Sequence, residues 1–211
     1  AKISNVPVNQ TLTLVYRDAQ ETYKIPKRET HKTFLSELPN NQLTKHEENT
    51  YNDFDYEGLI AKKVSQEGPC LAIGDLNGDG NEDVFVGGAK NQEGSLFMHH
   101  GNGSLTLKKD TAISKDSSFE DTAAAFFDAD GDGDLDLMVG SGGNQVDEME
   151  RESVRLYLND GKGNFSKGTL PNLTNTYNIS AIAPQDVDQD GDLDVFIGSR
   201  SIVGVYGMDP K

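Results

Sequence analysis

Apolar residues in this chain gather into short unbroken runs, each bounded by glycine or by polar turn residues. Leu71-Ala72-Ile73, Val84-Phe85-Val86, Ala123 to Phe127, Leu137-Met138-Val139, Ala181-Ile182-Ala183 and Val195-Phe196-Ile197 are the clearest. Runs this short, rich in β-branched and aromatic residues, predict strands buried on both faces, not helices. Three of them end at Gly87, Gly140 and Gly198. The pattern gives four strands near 69–75, 83–88, 95–99 and 104–109, then four more near 122–128, 136–140, 153–159 and 164–169. A third set supplies two strands and stops near Tyr206. In the second set, Asn159-Asp160-Gly161-Lys162-Gly163-Asn164 is a strong hairpin turn. The first 58 residues hold one clear alternating strand, Thr11 to Tyr16, followed by a polar region with Pro26 and Pro39.

Between the first two strands of each set lies the same acidic loop. Its copies are Asp75-Leu76-Asn77-Gly78-Asp79-Gly80-Asn81-Glu82-Asp83, Asp128-Ala129-Asp130-Gly131-Asp132-Gly133-Asp134-Leu135-Asp136 and Asp186-Val187-Asp188-Gln189-Asp190-Gly191-Asp192-Leu193-Asp194. Oxygen-bearing side chains stand at loop positions 1, 3, 5 and 9, with glycine at 6. That spacing suits a hard cation with many oxygen ligands, and Ca2+ before any other. An EF-hand would need a bidentate Glu at position 12, where Val86, Val139 and Ile197 stand instead. The loop therefore closes early, on Asp83, Asp136 and Asp194. Asn81, Asp134 and Asp192 at position 7 would contribute their backbone carbonyls. Gly80, Gly133 and Gly191 allow a positive-φ turn around the ion. The alternative is a set of solvated Asx-turns, but three copies with one spacing favour a calcium-binding β-hairpin. Loop one is the weakest, because Asn77 replaces a charged ligand.

Strand, D-x-[DN]-x-D-G-x-x-D, strand and glycine resembles the FG-GAP or VCBS repeat, the blade of integrin-α-like β-propellers. Val86-Gly87-Gly88-Ala89 stands where that family carries Gly-Ala-Pro, with Lys90 replacing the proline. Val139-Gly140-Ser141-Gly142 and Ile197-Gly198-Ser199-Arg200 depart further there while keeping the acidic residues. Loop starts at 75, 128 and 186 are 53 and 58 residues apart, and the turns at Gly101 and Gly161 are 60 apart. The longer interval places an insertion between Gly140 and Ser153. Periods of this size, with about four strands each, mark propeller blades. The expected fold is thus all-β: an incomplete β-propeller of four-stranded antiparallel blades with calcium-binding hairpin loops. Blade 1 would span about 59–118, blade 2 about 119–178 and a partial blade 3 about 179–211. Propellers usually need roughly four to eight blades. Either the sequence is a fragment of a longer protein or residues 1–58 supply unusual partners; we favour the fragment. Asn9 to Asp18 resembles the end of an ASPIC/UnbV-type domain, found beside these repeats in bacterial surface proteins and the cartilage acidic protein family. His46 to Asp55, leading to Ser65-Gln66-Glu67-Gly68-Pro69-Cys70, is similar to the approach to the first blade in bacterial members.

Composition narrows the function. The net charge of −16 opposes nucleic-acid phosphates as partners. The Asp residues of the three loops make up 13 of the 35 acidic residues, and three bound Ca2+ would bring the formal charge to about −10. The acidity reads as a metal-site signature. Extracellular calcium modules bind at roughly 0.1–1 mM, useless in a sub-micromolar cytosol, so an extracellular, cell-surface or periplasmic location is expected. No 18-residue apolar stretch spans a membrane. The single cysteine, Cys70, precedes a buried strand and reads as an inert thiol.

Encircling carboxylates leave a bound ion no open position, so the calcium reads as structural and the chain as a non-enzyme. No carboxylate pair is singled out by context, and no Gly-x-Ser-x-Gly elbow appears. His99 and His100 would point to opposite strand faces and read as surface or turn residues, while His31 and His46 lack a partner pattern. Tyr51-Asn52-Asp53-Phe54-Asp55-Tyr56 reads as an aromatic anchor, with a sugar-stacking platform as the alternative. Arg151 to Arg155 reads as a solvated edge, and the polar insertion 142–152 as an exposed loop for partner contact. The resemblance implies a binding or adhesion module for a protein or glycan, with further blades or domains beyond this sequence. The alternative is an accessory or catalytic module of a secreted enzyme acting on glycans or phosphodiesters.

Overall fold

A computed structural model describes residues 45–145, 152–170, 177–205 and 207–208, with isolated positions 9, 11, 13 and 43. The expected strand at Thr11 to Tyr16 lies, but for two positions, outside the described residues, as does His31. The chain divides into two compact units, Ala1–Pro39 and Asn40–Lys211. Within the second, the described fold is all-β. Strands β1 (Leu71–Gly74), β2 (Asp83–Val86), β3 (Ser95–His99) and β4 (Leu105–Lys108) form one antiparallel sheet in that order. Strands β5 (Asp121–Phe127), β6 (Asp136–Ser141), β7 (Val154–Asn159) and β8 (Phe165–Lys167) repeat it. Strands β9 (Tyr177–Gln185) and β10 (Asp194–Ile202) pair as a hairpin. The observed strands match the predicted ones to within about three residues at their ends, except that β9 and β10 are longer. This is the architecture of a partial propeller.

Pleat alternation explains the stacking of the sheets. Leu137, Val139 and Tyr157 face the first sheet and share a core with Leu76, Phe85, Leu96 and Met98. Their neighbours Met138, Val154 and Leu156 face the other way and pack with Ala123, Phe127 and Ile179. Side chains alternate between faces with a period of two, so the second sheet feeds two cores at once. All six β6 residues are buried in consequence. Burial on both faces does not hold for every strand, however. Leu71 and Ile73 on β1 are 58% and 59% exposed, and Phe196 on β10 is 66% exposed. These side chains lie on the outer faces of the stack, where the described residues place no further sheet.

Gly140 shows why glycine ends such a run. A Cβ there would lie 2.4 Å from the Ile179 side chain, where β6 packs against β9. Between the first two sheets lies a short helix, α1 (Thr111–Ser114), which the strand pattern did not signal. Asp110 caps it, accepting from the backbone N–H of Ala112 and Ile113 at 2.8 and 3.2 Å. The other Asp110 oxygen accepts from the Phe165 N–H at 2.9 Å, tying the helix to β8.

Candidate metal-binding loops

Each acidic loop joins the first two strands of its sheet, as the spacing predicts. Gly74 pairs with Asp83, Phe127 with Asp136 and Gln185 with Asp194, so all three loops close at the same register. Position 6 takes positive φ in every copy, at 84°, 94° and 103° for Gly80, Gly133 and Gly191. Position 4 does the same, which the sequence reading missed. Gly78 and Gly131 adopt it freely, whereas Gln189 holds φ at 63° against its own side chain.

The carboxylates organise the loop backbone. Asp75 accepts from the N–H groups of Gly78 at 2.9 Å and Gly80 at 2.8 Å. Asp128 repeats this with Gly131 at 2.8 Å and Gly133 at 3.0 Å. Asp186 accepts from Gly191 at 3.2 Å, while its Oδ1 is buried and accepts no hydrogen bond. Positions 5 and 7 are linked as well: Asp79, Asp132 and Asp190 each accept from the backbone N–H two residues on.

Position 9 does more than the spacing implied. Asp83 and Asp136 are fully buried. Asp136 accepts from the Ala129 N–H at 2.8 Å and from the Asn159 N–H of β7 at 2.8 Å. Asp83 does likewise with Leu76 at 3.0 Å and His99 of β3 at 2.8 Å. Each therefore locks its loop to the third strand of the sheet. Asp194 is exposed and accepts only from Val187 at 3.1 Å among the described contacts. Its hairpin has no third strand among the described residues, which accounts for the difference.

Two loops bring three carboxylates together so that one ligand oxygen from each lies within 4.8 Å of the others: Asp128, Asp130 and Asp136 in loop two, and Asp186, Asp188 and Asp190 in loop three. Asp132, Asp134, Asp192 and Asp194 stand outside these triads. In loop one, Asn77 turns to its neighbours: its amide donates to Asp79 at 3.2 Å and its oxygen accepts from the Asp79 N–H at 3.0 Å. Crowded carboxylates show in the protonation equilibria. Burial raises the Asp136 pKa, and Asp130 and Asp132 add to the rise. Hydrogen bonding between Asp190 and Asp192 lowers the first and raises the second. Hydrogen bonds from Asn81, first the backbone and then the side chain, lower Asp79. The donor set is all hard oxygen, with carboxylates converging and one buried oxygen left without a donor, so the residues fit a Ca2+ ion.

The FG-GAP-like repeat family model matches residues 75–139 and 143–197. The chain belongs to the FG-GAP-like repeat family. The first stretch takes in loops one and two with β2 to β5 and most of β6, and the second takes in β7, β8, β9, loop three and the start of β10.

Other sequence readings need correction. Arg155 does not lie on a solvated edge: it is buried, at 3% exposure, and forms an ion pair with Asp121. Its guanidinium also lies 4.7 Å from the Phe119 ring centroid and donates to Tyr157 Oη at 3.2 Å. Tyr157 in turn donates to Asp116 at 2.6 Å. Asp121 accepts from the Gly88 N–H at 2.9 Å, so this network bridges the first two sheets. The insertion is not exposed throughout either. Asn144 and Gln145 are 2% exposed, and residues 146–151 lie outside the described residues.

Asn159 does more than open a turn. Its amide donates to the carbonyls of Leu76 and Leu135 at 2.9 and 3.0 Å, bracing loops one and two against each other. His100 meets Thr106 Oγ1 at 2.7 Å on the surface. Burial pushes the Cys70 thiol up to about 12. The expected inert thiol follows from that.

Proposed function

We propose that this chain is a calcium-binding extracellular or cell-surface propeller module that mediates protein or glycan binding, with Ca2+ in a structural role. The observation that carries the reading is the convergence of three carboxylates in each of two hairpin loops. The proposed ligands are Asp75, Asn77, Asp79, Asn81, Asp83, Asp128, Asp130, Asp132, Asp134, Asp136, Asp186, Asp188, Asp190, Asp192 and Asp194, with position 7 acting through its carbonyl. Residues 59–211 would form the propeller part, and residues 1–58 the tail of a preceding β domain plus a linker.

The ion would do no chemistry. It would neutralise clustered charge and fix the ends of the hairpins, leaving the loop face rigid for a partner. FG-GAP-like repeats are typically binding or structural modules, and among the described residues no helix is long and apolar enough to cross a membrane. Millimolar calcium outside the cell would saturate sites with a dissociation constant of about 0.1 mM. Each site would then contribute about 1.4 kcal/mol by linkage. Three sites would raise the melting temperature by roughly 10 °C for a domain of this size. Thermal melts with EDTA and with about 2 mM Ca2+ test this; superimposable curves would overturn the structural role.

A further inference from the structure

Residues 45–68 lie against the blades and build a cleft of about 620 Å³, in the size range of small-molecule sites. One wall is a pair of tyrosines: Tyr51 and Tyr56 stack with ring centroids 5.3 Å apart and planes 7° from parallel. Tyr51 is anchored, donating from its hydroxyl to the Asn144 carbonyl at 3.2 Å and from its backbone N–H to Asn49 Oδ1 at 2.9 Å. Tyr56 is 66% exposed. The inner ring thus serves as a fixed support, and the outer ring offers a large aromatic surface to solvent.

The cleft is also lined by polar residues, among them Lys90, Asn91 and Gln145. Asn91 sits in left-handed backbone conformation, φ 66°, in the turn that the Gln92 N–H closes on the Ala89 carbonyl at 2.8 Å. Gln145 is 2% exposed; its amide donates to Glu120 at 3.4 Å, but its Oε1 is buried and accepts no hydrogen bond.

We propose that this cleft is a saccharide-binding site for uncharged, hydroxyl-rich glycans. The electron-rich face of Tyr56 would take the C–H face of a pyranose ring. The sugar hydroxyls would bond to the side chains of Asn91 and Lys90, which line the same cleft. The net charge of −16 disfavours polyanionic glycans. This inference rests on the glycan arm of the binding reading above and gives it a location.

The test is calorimetry and tyrosine-fluorescence titration with a panel of neutral gluco-, galacto- and manno-oligosaccharides, in millimolar calcium. The absence of tryptophan keeps the fluorescence signal to tyrosine. Binding by at least one family is expected. Tyr56→Ala should weaken it about tenfold or more, and Tyr56→Phe should hold it within about threefold. Phe54→Ala removes an exposed aromatic on the same turn, outside the cleft, and should leave binding unchanged. Tyr56 is surface-exposed, so its replacement leaves the fold intact. No saccharide bound at about 10 mM by protein that still binds calcium would overturn the site while sparing the calcium reading. Binding that survives Tyr56→Ala would overturn it too. Saccharide binding without calcium binding would support the site and remove the metal.

Discussion

At residue scale, Asp136 combines two duties that separate experimentally. It belongs to a carboxylate triad, and it accepts backbone N–H groups from Ala129 and from Asn159 on the neighbouring strand. Asp136→Ala should therefore destabilise the protein by about 1–3 kcal/mol even in EDTA, because it strands the buried Asn159 donor. Asp132→Ala removes an exposed carboxylate and its solvent-exposed hydrogen bond from the Asp134 N–H, and should leave EDTA stability within about 0.5 kcal/mol while weakening calcium binding. Equal losses of EDTA stability in the two variants would contradict this division of labour. At Cys70, the thiol pKa of about 12 predicts negligible alkylation of folded protein at pH 8, with full reaction after unfolding. Asp and Gly at fixed intervals made the metal positions legible. The clamp from position 9 to the third strand was not, since its partners are backbone N–H groups that any residue carries. Asn159 hid for a related reason. An asparagine before Asp-Gly is an ordinary turn residue until the neighbouring loop comes within reach of its amide.

Element by element, the hairpins were readable because strand runs, turn glycines and acidic loops agree with one another. The bridge between the first two sheets was not. Arg155 sits in a charged sequence context, Glu152-Ser153-Val154-Arg155, that reads as surface. Pleat alternation nonetheless puts it on the same face as Tyr157, against Asp121 and Phe119. Removing one partner of a buried ion pair costs about 3–5 kcal/mol, so Arg155→Ala should lower the melting temperature by roughly 10 °C. Arg155→Lys should not restore it, because a single ammonium cannot serve Asp121 and Tyr157 in the guanidinium's fork geometry.

The same bridge has a pH signature through Asp116. Burial pushes this carboxyl up, but hydrogen bonds from Lys167 and Tyr157 outweigh it and hold the group below its ordinary 3.8. A depressed carboxylate contributes stability that is present above pH 3.8 and lost as pH falls through the folded value. Melts of the parent protein and Asp116→Asn should differ at pH 5 and converge as the pH approaches about 2. A gap that stayed constant across that range would remove Asp116 from the bridge.

For the whole molecule, the repeat period conveyed stacked four-stranded sheets, and the family match agrees with it. Burial on every strand face did not carry over, because Leu71, Ile73 and Phe196 lie on the outer faces of the stack. Such faces are what neighbouring blades cover in a closed propeller. In residues 45–68 the aromatic anchor at Tyr51 to Tyr56 is legible in the sequence, but the polar contacts beside it are not. Asp53 is fully buried and accepts from Ser65 Oγ at 3.0 Å, and Ser65 Oγ accepts from the Asn144 N–H at 2.6 Å. These contacts span up to 79 residues of sequence, far beyond any local pattern.

The central claim is that clustered acids hold calcium and that calcium tightens the hairpins. Calorimetric titration of EDTA-stripped protein with Ca2+ tests it most directly. About three sites with dissociation constants of roughly 0.1–1 mM are expected, loop one the weakest. No binding by about 5 mM Ca2+ would contradict it, reducing the loops to hydrogen-bonded turns and removing the argument for an extracellular module.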